Sequence, residues 1–291
     1  MRVALVGAAG QLGTALDATR PPDVSIVPLA HAEIEICKAA SVDTALSAAA
    51  ADCVINAAAY NFVDRAEDEP EQAHAANAIG PQNLARWCAR HHAVLVHVST
   101  DYVFSDDARR VPHVESDSTS PASVYARSKL AGEEFVRAEC PSHFVVRTCG
   151  LYGRAQTAGK GNFVRTMLRM ASEGRPLKVV DDQHCTPSFA ADIAAAIWTL
   201  LPTRQFGLYH ATNAGQTTWH GFACEILRAA GFNTQVAAIP SRDFPQKAKR
   251  PTYSVLDCSK LAAATGVGMP TWQDALGRYV PQIVAEFPRP A

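Results

Sequence analysis

The sequence lacks an excess of charge of either sign and lacks a long apolar run. Its 291 residues carry 27 Lys and Arg against 28 Asp and Glu, a formal net charge of -1. Proteins that bind nucleic acids or anionic membranes through charge usually present a strongly basic surface, so neither partner is expected. No apolar run reaches the roughly 18 residues that a membrane-spanning helix needs. A protein embedded in a membrane is therefore not expected either.

Cysteine pairs at metal-binding spacing are also missing. Eight cysteines are scattered along the chain and no two form Cys-x-x-Cys, which disfavours a zinc site and a disulfide framework. No metal ligand is predicted. The apolar run Val3–Val6 passes directly into a glycine loop and has neither the length nor the cleavage site of a signal peptide. We expect a cytoplasmic protein with reduced, mostly packed thiols.

Short apolar runs alternate with helical patterns through the first half of the chain. This alternation predicts an α/β fold with a parallel sheet covered by helices on both faces. Such sheets bind ligands beyond the carboxyl ends of their strands. The predicted strands are Val3–Val6, Val24–Pro28, Cys53–Asn56, Val94–Val98 and Phe144–Arg147. The predicted helices are Gln11–Thr19, Ala40–Ala50, Glu71–His91 and Ser123–Glu139.

The second half of the chain is less regular and shows no clean linker. Helices are predicted at Asn162–Glu173, Ser188–Leu200, Thr218–Ala230 and Thr271–Val284, and strands at Leu177–Val180 and Gly207–His210. We expect a cofactor-binding domain of residues 1–150 plus about 188–212. A smaller, interleaved α/β substrate lobe would comprise about 151–187 plus 213–291.

A glycine loop separates the first predicted strand from the first predicted helix. Gly7 and Gly10 would let the backbone turn sharply and approach a pyrophosphate, and Gln11 and Leu12 would begin the helix whose free N–H groups face it. Strand, loop and helix in this order favour dinucleotide binding. They indicate a Rossmann-type, doubly wound sheet.

Three further features bear on the cofactor. No acid ends the second predicted strand, where a carboxylate would hold the ribose of NAD, so NADPH is favoured and NADH stays an alternative. Glu35 and Ile36 follow slightly later and could flank the adenine. The small side chains of Ala57, Ala58 and Ala59 would let a cofactor lie close to the backbone. Asn77 is interpreted as an anchor of the cofactor loop or as an ordinary polar helix residue.

The chemistry is expected from a hydroxyl and a phenol–ammonium pair. Thr100 lies near the carboxyl end of the fourth predicted strand, where it could hydrogen-bond a carbonyl. Tyr125 and Lys129 are four apart and share one face of a helix. A nearby ammonium favours the phenolate, so Tyr125 could donate a proton while Lys129 assists it and holds the nicotinamide ribose.

These motifs together resemble the dTDP-4-dehydrorhamnose reductase family of extended short-chain dehydrogenases/reductases. The resemblance covers nearly the whole chain. It is carried by Gly7–Gly13, Val54–Tyr60, Val63–Glu67, Ser99–Phe104, Tyr125–Lys129, Ala131–Glu133, Val146–Thr148, Asn162–Val164, Asp181–Gln183, Thr186–Pro187, Tyr209–His210, Arg250–Pro251 and Ser254–Asp257. It implies NADPH-dependent reduction of the carbon-4 ketone of a dTDP-6-deoxy-4-ketohexose.

The resemblance also implies roles for individual residues. The family's catalytic threonine, tyrosine and lysine fall on Thr100, Tyr125 and Lys129. Asp101 and Tyr102 fall on its substrate-side aspartate and tyrosine. Asn162 and Arg250 belong to matching motifs and are expected on the substrate side. Arginine suits a bidentate contact to a diphosphate.

The chain departs from the family pattern on the substrate side. Cys149 and Gly150 stand where the family often has a serine and a tryptophan, so a ring that could pack on the sugar is missing there. The segments Asp182–Ser188 and Thr218–Gly221 also differ. Some members join subunits through magnesium, whose ligands this sequence does not place. A homodimer is one expectation.

Other functions remain open at this point. A dehydratase of the same scaffold typically has Asp-Glu after the threonine, whereas this chain has Asp101-Tyr102, which argues against dehydration. A nucleotide-sugar epimerase could use the same tyrosine and lysine. A non-catalytic NADP-binding protein, similar to the regulatory subunit of methionine adenosyltransferase, is a third alternative.

Overall fold

The computed structural model describes residues 1–105, 110–156 and 161–288. The strands in this part are β1 (Arg2–Val6), β2 (Ser25–Leu29), β3 (Cys53–Asn56), β4 (Val94–Thr100), β5 (His143–Thr148), β6 (Leu151–Tyr152), β7 (Leu177–Val180), β8 (His184–Cys185), β9 (Ser188–Phe189), β10 (Gly207–His210), β11 (Thr217–Thr218) and β12 (Val236–Ile239). Six of them form one parallel sheet in the order β10-β5-β4-β3-β1-β2. The predicted α/β fold with a parallel sheet is confirmed.

Helices connect the strands and cover the sheet. Those in the described residues are α1 (Gln11–Ala18), α2 (Ala39–Ala49), α3 (Pro70–His74), α4 (Gly80–Arg90), α5 (Val124–Glu139), α6 (Phe163–Ser172), α7 (Ala190–Leu200), α8 (Trp219–Ala230), α9 (Ser259–Thr265) and α10 (Trp272–Tyr279). Short 3₁₀ turns lie at Arg65–Glu67, Asp101–Val103, Leu201–Thr203, Ser241–Asp243, Val280–Gln282 and Val284–Glu286. None of the helices described is long and apolar enough to cross a membrane.

Alternate residues of the strands pack into separate cores. Val3 and Leu5 of β1 pack with α1 and α7 on one face, and Ala4 and Val6 pack with α2 and α4 on the other. Successive side chains of a strand point to opposite faces, so a continuous apolar strand such as β1 is buried on both sides.

A third core is built outside the sheet from helices α6, α8 and α10. Aromatic side chains dominate its centre, including Tyr152, Phe222 and Tyr279, which are almost fully buried. Leu261 of α9, predicted in the substrate lobe, packs instead with the core beside α7. The domain boundaries stay a prediction.

Two predicted helices each contain a proline and are not regular α-helix throughout. Glu71–His91 is interrupted by a π-helical stretch, Ala75–Ile79, before α4. Pro81 follows this stretch and has no N–H to donate to the carbonyl four residues earlier, so the regular hydrogen-bond ladder is interrupted there. The predicted helix Thr271–Val284 ends at Tyr279, shortly before Pro281, and continues as 3₁₀ turns. Helix α9, strand β12 and the two-residue strands were not predicted.

Candidate active site

A cavity of about 1020 Å³ lies at the carboxyl ends of the sheet strands. Strand β2 lies next to β1 at one edge of the sheet, whereas β3 and the later strands lie on the opposite side of β1. The strand order therefore reverses between β1 and β3. Open α/β sheets bind ligands in the crevice at this point. The loops after β1 and β3 and the ends of β4 and β5 all contribute to the walls.

The glycine loop after β1 requires glycine at two positions. Gly7 has φ +80°, and a Cβ there would lie 2.7 Å from the backbone nitrogen of Ala58. A Cβ on Gly13 would lie 2.4 Å from the carbonyl oxygen of Gly7. Helix α1 begins at Gln11 without a side-chain cap, so its first N–H groups suit an anionic ligand. Of the predicted cofactor residues here, Gly7, Gly10, Gln11 and Leu12 line the cavity.

The segment after β2 forms the wall of the cavity at the β2 edge of the sheet. Glu35 and Ile36, both predicted near the adenine, line the cavity. The Glu35 backbone N–H donates to Ser41 Oγ at 2.9 Å, which fixes the turn into α2. His31, which was not predicted, also lines this wall and lies 3.9 Å from a Glu35 carboxylate oxygen.

The segment after β3 lies against the glycine loop. Ala57, Ala58 and Ala59 line the cavity, as predicted. Asn77 does not belong to its lining but holds this segment: Asn77 Oδ1 accepts from the Tyr60 N–H at 2.8 Å and Nδ2 donates to the Tyr60 carbonyl at 3.0 Å. Asn77 thus holds the segment after β3, and its role toward a cofactor stays a prediction.

Thr100, Tyr125 and Lys129 line the same cavity. Thr100 ends β4, and the other two lie on the first turns of α5, whose N-cap Ser123 accepts a bond from the Ala126 N–H at 3.2 Å. Lys129 Nζ donates to the Val98 carbonyl oxygen at 2.7 Å. The strand end and the helix start thus bring the three predicted residues together.

Burial controls the protonation of the pair. It raises the pKa of the Tyr125 phenol above its ordinary value, although the hydrogen bond with Thr100 lowers it in part. Burial lowers the pKa of Lys129 to about 8, against the opposite effect of the Glu133 carboxylate. The phenol therefore stays protonated at neutral pH and can serve as a proton donor.

Asp101 and Tyr102 follow Thr100 and line the cavity beside it. Thr100 Oγ1 donates to Asp101 Oδ1 at 3.1 Å, and Ser254 Oγ donates to Asp101 Oδ2 at 2.5 Å. Burial raises the pKa of Asp101 to about 6, and the bonds from Ser254, Cys149 and Thr100 oppose this. Ser254 begins the motif Ser254–Asp257, but its contact with Asp101 was not predicted.

The two other predicted substrate residues lie outside the cavity lining. Asn162 caps α6, where Oδ1 accepts from the Arg165 N–H at 3.0 Å, and Nδ2 donates to Gln11 Oε1 at 2.9 Å. Arg250 makes a bidentate pair with Asp64 at 2.6 and 3.0 Å. Asn162 therefore joins two elements of the fold, and Arg250 is held by a carboxylate.

Trp219 is a wall residue that sequence reasoning did not assign. It lies at the start of α8 and lines the cavity together with Gly150 and Leu151. The segment Thr218–Gly221, which departs from the family pattern, contains Trp219, but no local sequence pattern indicates its contact with Gly150. No group of three or more His, Cys, Asp or Glu that could hold a metal ion occurs in the described part of the chain, so the magnesium expectation has no support.

A parallel sheet with a glycine loop at its switch point and a buried threonine, tyrosine and lysine defines an extended short-chain dehydrogenase/reductase. Within that class, the model of the family described as RmlD substrate binding domain matches residues 1–285. The chain belongs to this family, as the sequence motifs predicted.

Individual relatives agree with this assignment. The chain is 36% identical to dTDP-4-dehydrorhamnose reductase of Sinorhizobium fredii, over 98% of this chain and 99% of the relative. It is 40% identical to the enzyme of that name from Mycobacterium tuberculosis, over 94% and 91% of the two chains. The solved structure of the Bacillus anthracis dTDP-4-dehydrorhamnose reductase in complex with NADP superposes with a TM-score of 0.91 at 34% identity, covering 97% and 99%.

Proposed function

We propose that the protein reduces the carbon-4 ketone of a dTDP-6-deoxy-4-ketohexose, converting dTDP-4-dehydrorhamnose to dTDP-L-rhamnose with NADPH. The observation that carries the proposal is the convergence of Thr100, Tyr125 and Lys129 in the cavity that the glycine loop opens. Family membership and relatives named for this activity support it.

The cofactor would lie between the loops after β1 and β3. Its pyrophosphate would face Gly7, Gly10, Gln11 and Leu12, because a helix N-terminus and a side-chain-free turn favour an anion. Glu35 and Ile36 would flank the adenine, and Ala57–Ala59 would contact its inner edge. The relative solved with NADP supports NADPH over NADH. When bound, NADPH supplies the hydride.

Tyr125 would protonate the developing alkoxide, because its phenol remains protonated in the buried site. Thr100 would hydrogen-bond the same oxygen, and the Lys129 ammonium would stabilise the phenolate that results and hold the nicotinamide ribose. Asp101 and Tyr102 would contact the substrate. Asn162 and Arg250 would act from outside the lining, Arg250 by approaching the diphosphate while Asp64 orients its guanidinium.

The proposal can be tested by measuring the decrease in NADPH absorbance when dTDP-4-dehydrorhamnose is generated in situ. The assay compares wild type with Tyr125→Phe. Wild type should consume NADPH, and Tyr125→Phe should lose about 10²–10⁴-fold in kcat, as expected for loss of a general acid, with NADPH still bound. Equal rates in both would exclude Tyr125 as the donor. A parallel assay with NADH measures the cofactor preference.

The same assay separates the alternatives. An epimerase would convert its nucleotide sugar without net consumption of NADPH, and a non-catalytic subunit would bind NADPH without reducing the ketone. A homodimer and a cytoplasmic location remain part of the proposal. Size-exclusion chromatography with light scattering tests the former.

A further inference from the structure

Gly150 and Trp219 occupy adjoining positions on the cavity wall. Gly150 lies two residues beyond Thr148, and Thr148 pairs in register with Thr100 across β5 and β4. Gly150 and Trp219 both line the cavity. The two residues therefore lie toward the reacting end of the site, on the side of the sheet away from β2 and the predicted adenine wall.

The conformation at Gly150 leaves room for the indole. Gly150 has φ +51°, and a Cβ there would lie 3.1 Å from Cη2 of Trp219 and 3.3 Å from Cα of Pro187. Both the backbone angle and the close contact disfavour any larger residue. The edge of the Trp219 ring therefore lies in tight contact with the position where a side chain of residue 150 would begin.

Trp219 is held firmly in this position. It is the first residue of α8, whose N-cap Thr218 accepts a hydrogen bond from the Gly221 N–H at 3.0 Å. Its ring packs against Phe163, with centroids 4.9 Å apart and planes inclined by 53°. Trp219 is only partly buried, although the aromatic core of the lobe lies directly behind it. A rigid, partly exposed aromatic ring in a ligand cavity is a typical binding surface.

We propose that the indole of Trp219, admitted by Gly150, is the surface on which the deoxyhexose of the nucleotide sugar packs. A 6-deoxyhexose has a methyl group and a C–H-rich face, and both gain from contact with an aromatic face. The inference rests on the proposed function and adds a specificity-determining residue to it. The ring that the sequence lacks at position 150 is thus supplied from another element.

Binding measurements can isolate the sugar contact. We would titrate dTDP, dTDP-L-rhamnose and NADPH separately into wild type, Trp219→Ala, Trp219→Phe and Gly150→Ala. Loss of an aromatic contact is expected to weaken binding by roughly 3- to 10-fold. Trp219→Ala should therefore bind dTDP-L-rhamnose about that much more weakly, while dTDP and NADPH bind as in wild type. Trp219→Phe, which keeps a ring against Phe163, should lose less.

Gly150→Ala provides a second variant that retains the indole but displaces it. It should weaken dTDP-L-rhamnose binding in the same selective manner. Trp272→Phe is the matched control, because Trp272 is a buried indole in the same aromatic core and does not line the cavity. That control should leave all three affinities unchanged, and thermal unfolding of each variant monitors the fold.

Four outcomes would overturn the inference. They are unchanged dTDP-L-rhamnose binding in Trp219→Ala, an equal loss for dTDP, a loss for NADPH instead, or wild type binding dTDP-L-rhamnose no more tightly than dTDP. Failure of the proposed function has a different signature, since wild type would then leave NADPH unconsumed with the ketosugar.

Discussion

Arg147 and Glu133 form a bidentate ion pair beneath α5, with contacts of 2.7 and 3.0 Å and with both side chains at most 2% exposed. Ser99 Oγ donates to Glu133 Oε1 at 2.5 Å. The pair joins β5 to α5, the helix that carries Tyr125 and Lys129. The hydrogen bond from Ser99 also connects α5 to β4, the strand that ends at Thr100. The position of the proposed catalytic groups therefore depends on this buried pair.

Removal of Glu133 should destabilise the protein strongly. Glu133→Ala leaves the Arg147 guanidinium buried without its partner, which typically costs about 3–5 kcal/mol. The exposed pair of Arg86 and Glu139 supplies the control, because Glu139→Ala should cost about 1 kcal/mol or less. Urea unfolding measures both free energies, and equal losses would contradict the structural role of the buried pair.

Much of the site could be predicted from local sequence, because its parts lie on contiguous segments. The glycine loop is recognised within one strand–loop–helix segment. The Tyr125–Lys129 pair is recognised within one turn of a helix. The contact of Gly150 with Trp219 joins residues 69 positions apart in the sequence, and no local pattern encodes it.

Long-range pairing also sets the contacts of two other predicted site residues. Arg250, predicted to contact a diphosphate, also pairs with Asp64, 186 residues earlier, and this pairing was not predicted. Likewise, the substrate role of Asn162 stays a prediction, and its hydrogen bonds to the α6 backbone and to Gln11 were not predicted. Such contacts depend on how elements pack, which hydrophobic periodicity does not specify.

Substitution of Gly7 should abolish tight NADPH binding. Gly7→Ala combines a positive φ with a Cβ 2.7 Å from the Ala58 backbone, so the two loops that would hold the cofactor must separate. We expect the Kd for NADPH to rise at least about tenfold. Gly174→Ala is the matched control, since Gly174 has φ +65° but no atom within 4 Å of the added Cβ. It should lose about 1 kcal/mol of stability from backbone strain and bind NADPH normally. A similar Kd in both variants would argue against a cofactor at this loop.

Asn77 should affect the cofactor without touching it. Its side chain is buried and makes both hydrogen bonds to the Tyr60 backbone, and Nδ2 also reaches Ser128 Oγ at 3.0 Å. Asn77→Ala leaves these groups unsatisfied, which costs about 1–3 kcal/mol, and should loosen the segment after β3. Isothermal titration should show weaker NADPH binding, whereas Gln82→Ala, on the outer side of α4, should match wild type. Normal NADPH affinity in Asn77→Ala would limit Asn77 to a packing role.

Arg250 should influence the substrate more than the cofactor. Arg250→Ala is expected to raise the KM for the dTDP-ketosugar by about tenfold, in the range of a lost charge-assisted contact, with the NADPH KM unchanged. Lys247→Ala removes an exposed cation of the same loop, paired with Asp68 at 2.6 Å, and should have little effect. Steady-state kinetics with each substrate varied in turn decides the matter, and an unchanged KM would remove Arg250 from the site.

Asp101 should give stability and activity opposite responses to pH. Burial raises its pKa to about 6 in the folded protein, from an unfolded value near 3.8. The folded state therefore takes up a proton that the unfolded state does not, and this carboxyl adds stability as the pH falls from about 7 to 4. Activity should instead decrease as the pH falls, because a protonated Asp101 no longer accepts hydrogen bonds from both Thr100 and Ser254. We expect kcat/KM to fall below about pH 6.

Asp101→Asn tests both parts of this prediction. The variant removes the cost of burying a carboxylate, so it should be more stable than wild type at pH 7 by about 1–3 kcal/mol, with the difference shrinking toward pH 4. Its kcat/KM should be lower than that of wild type. The pH profile of kcat/KM should also lack the decrease below about pH 6 that is expected for wild type. If kcat/KM of Asp101→Asn still decreases below about pH 6, the titration belongs to another group. If the stability difference between the variant and wild type does not depend on pH, the pKa of the Asp101 carboxyl is not raised.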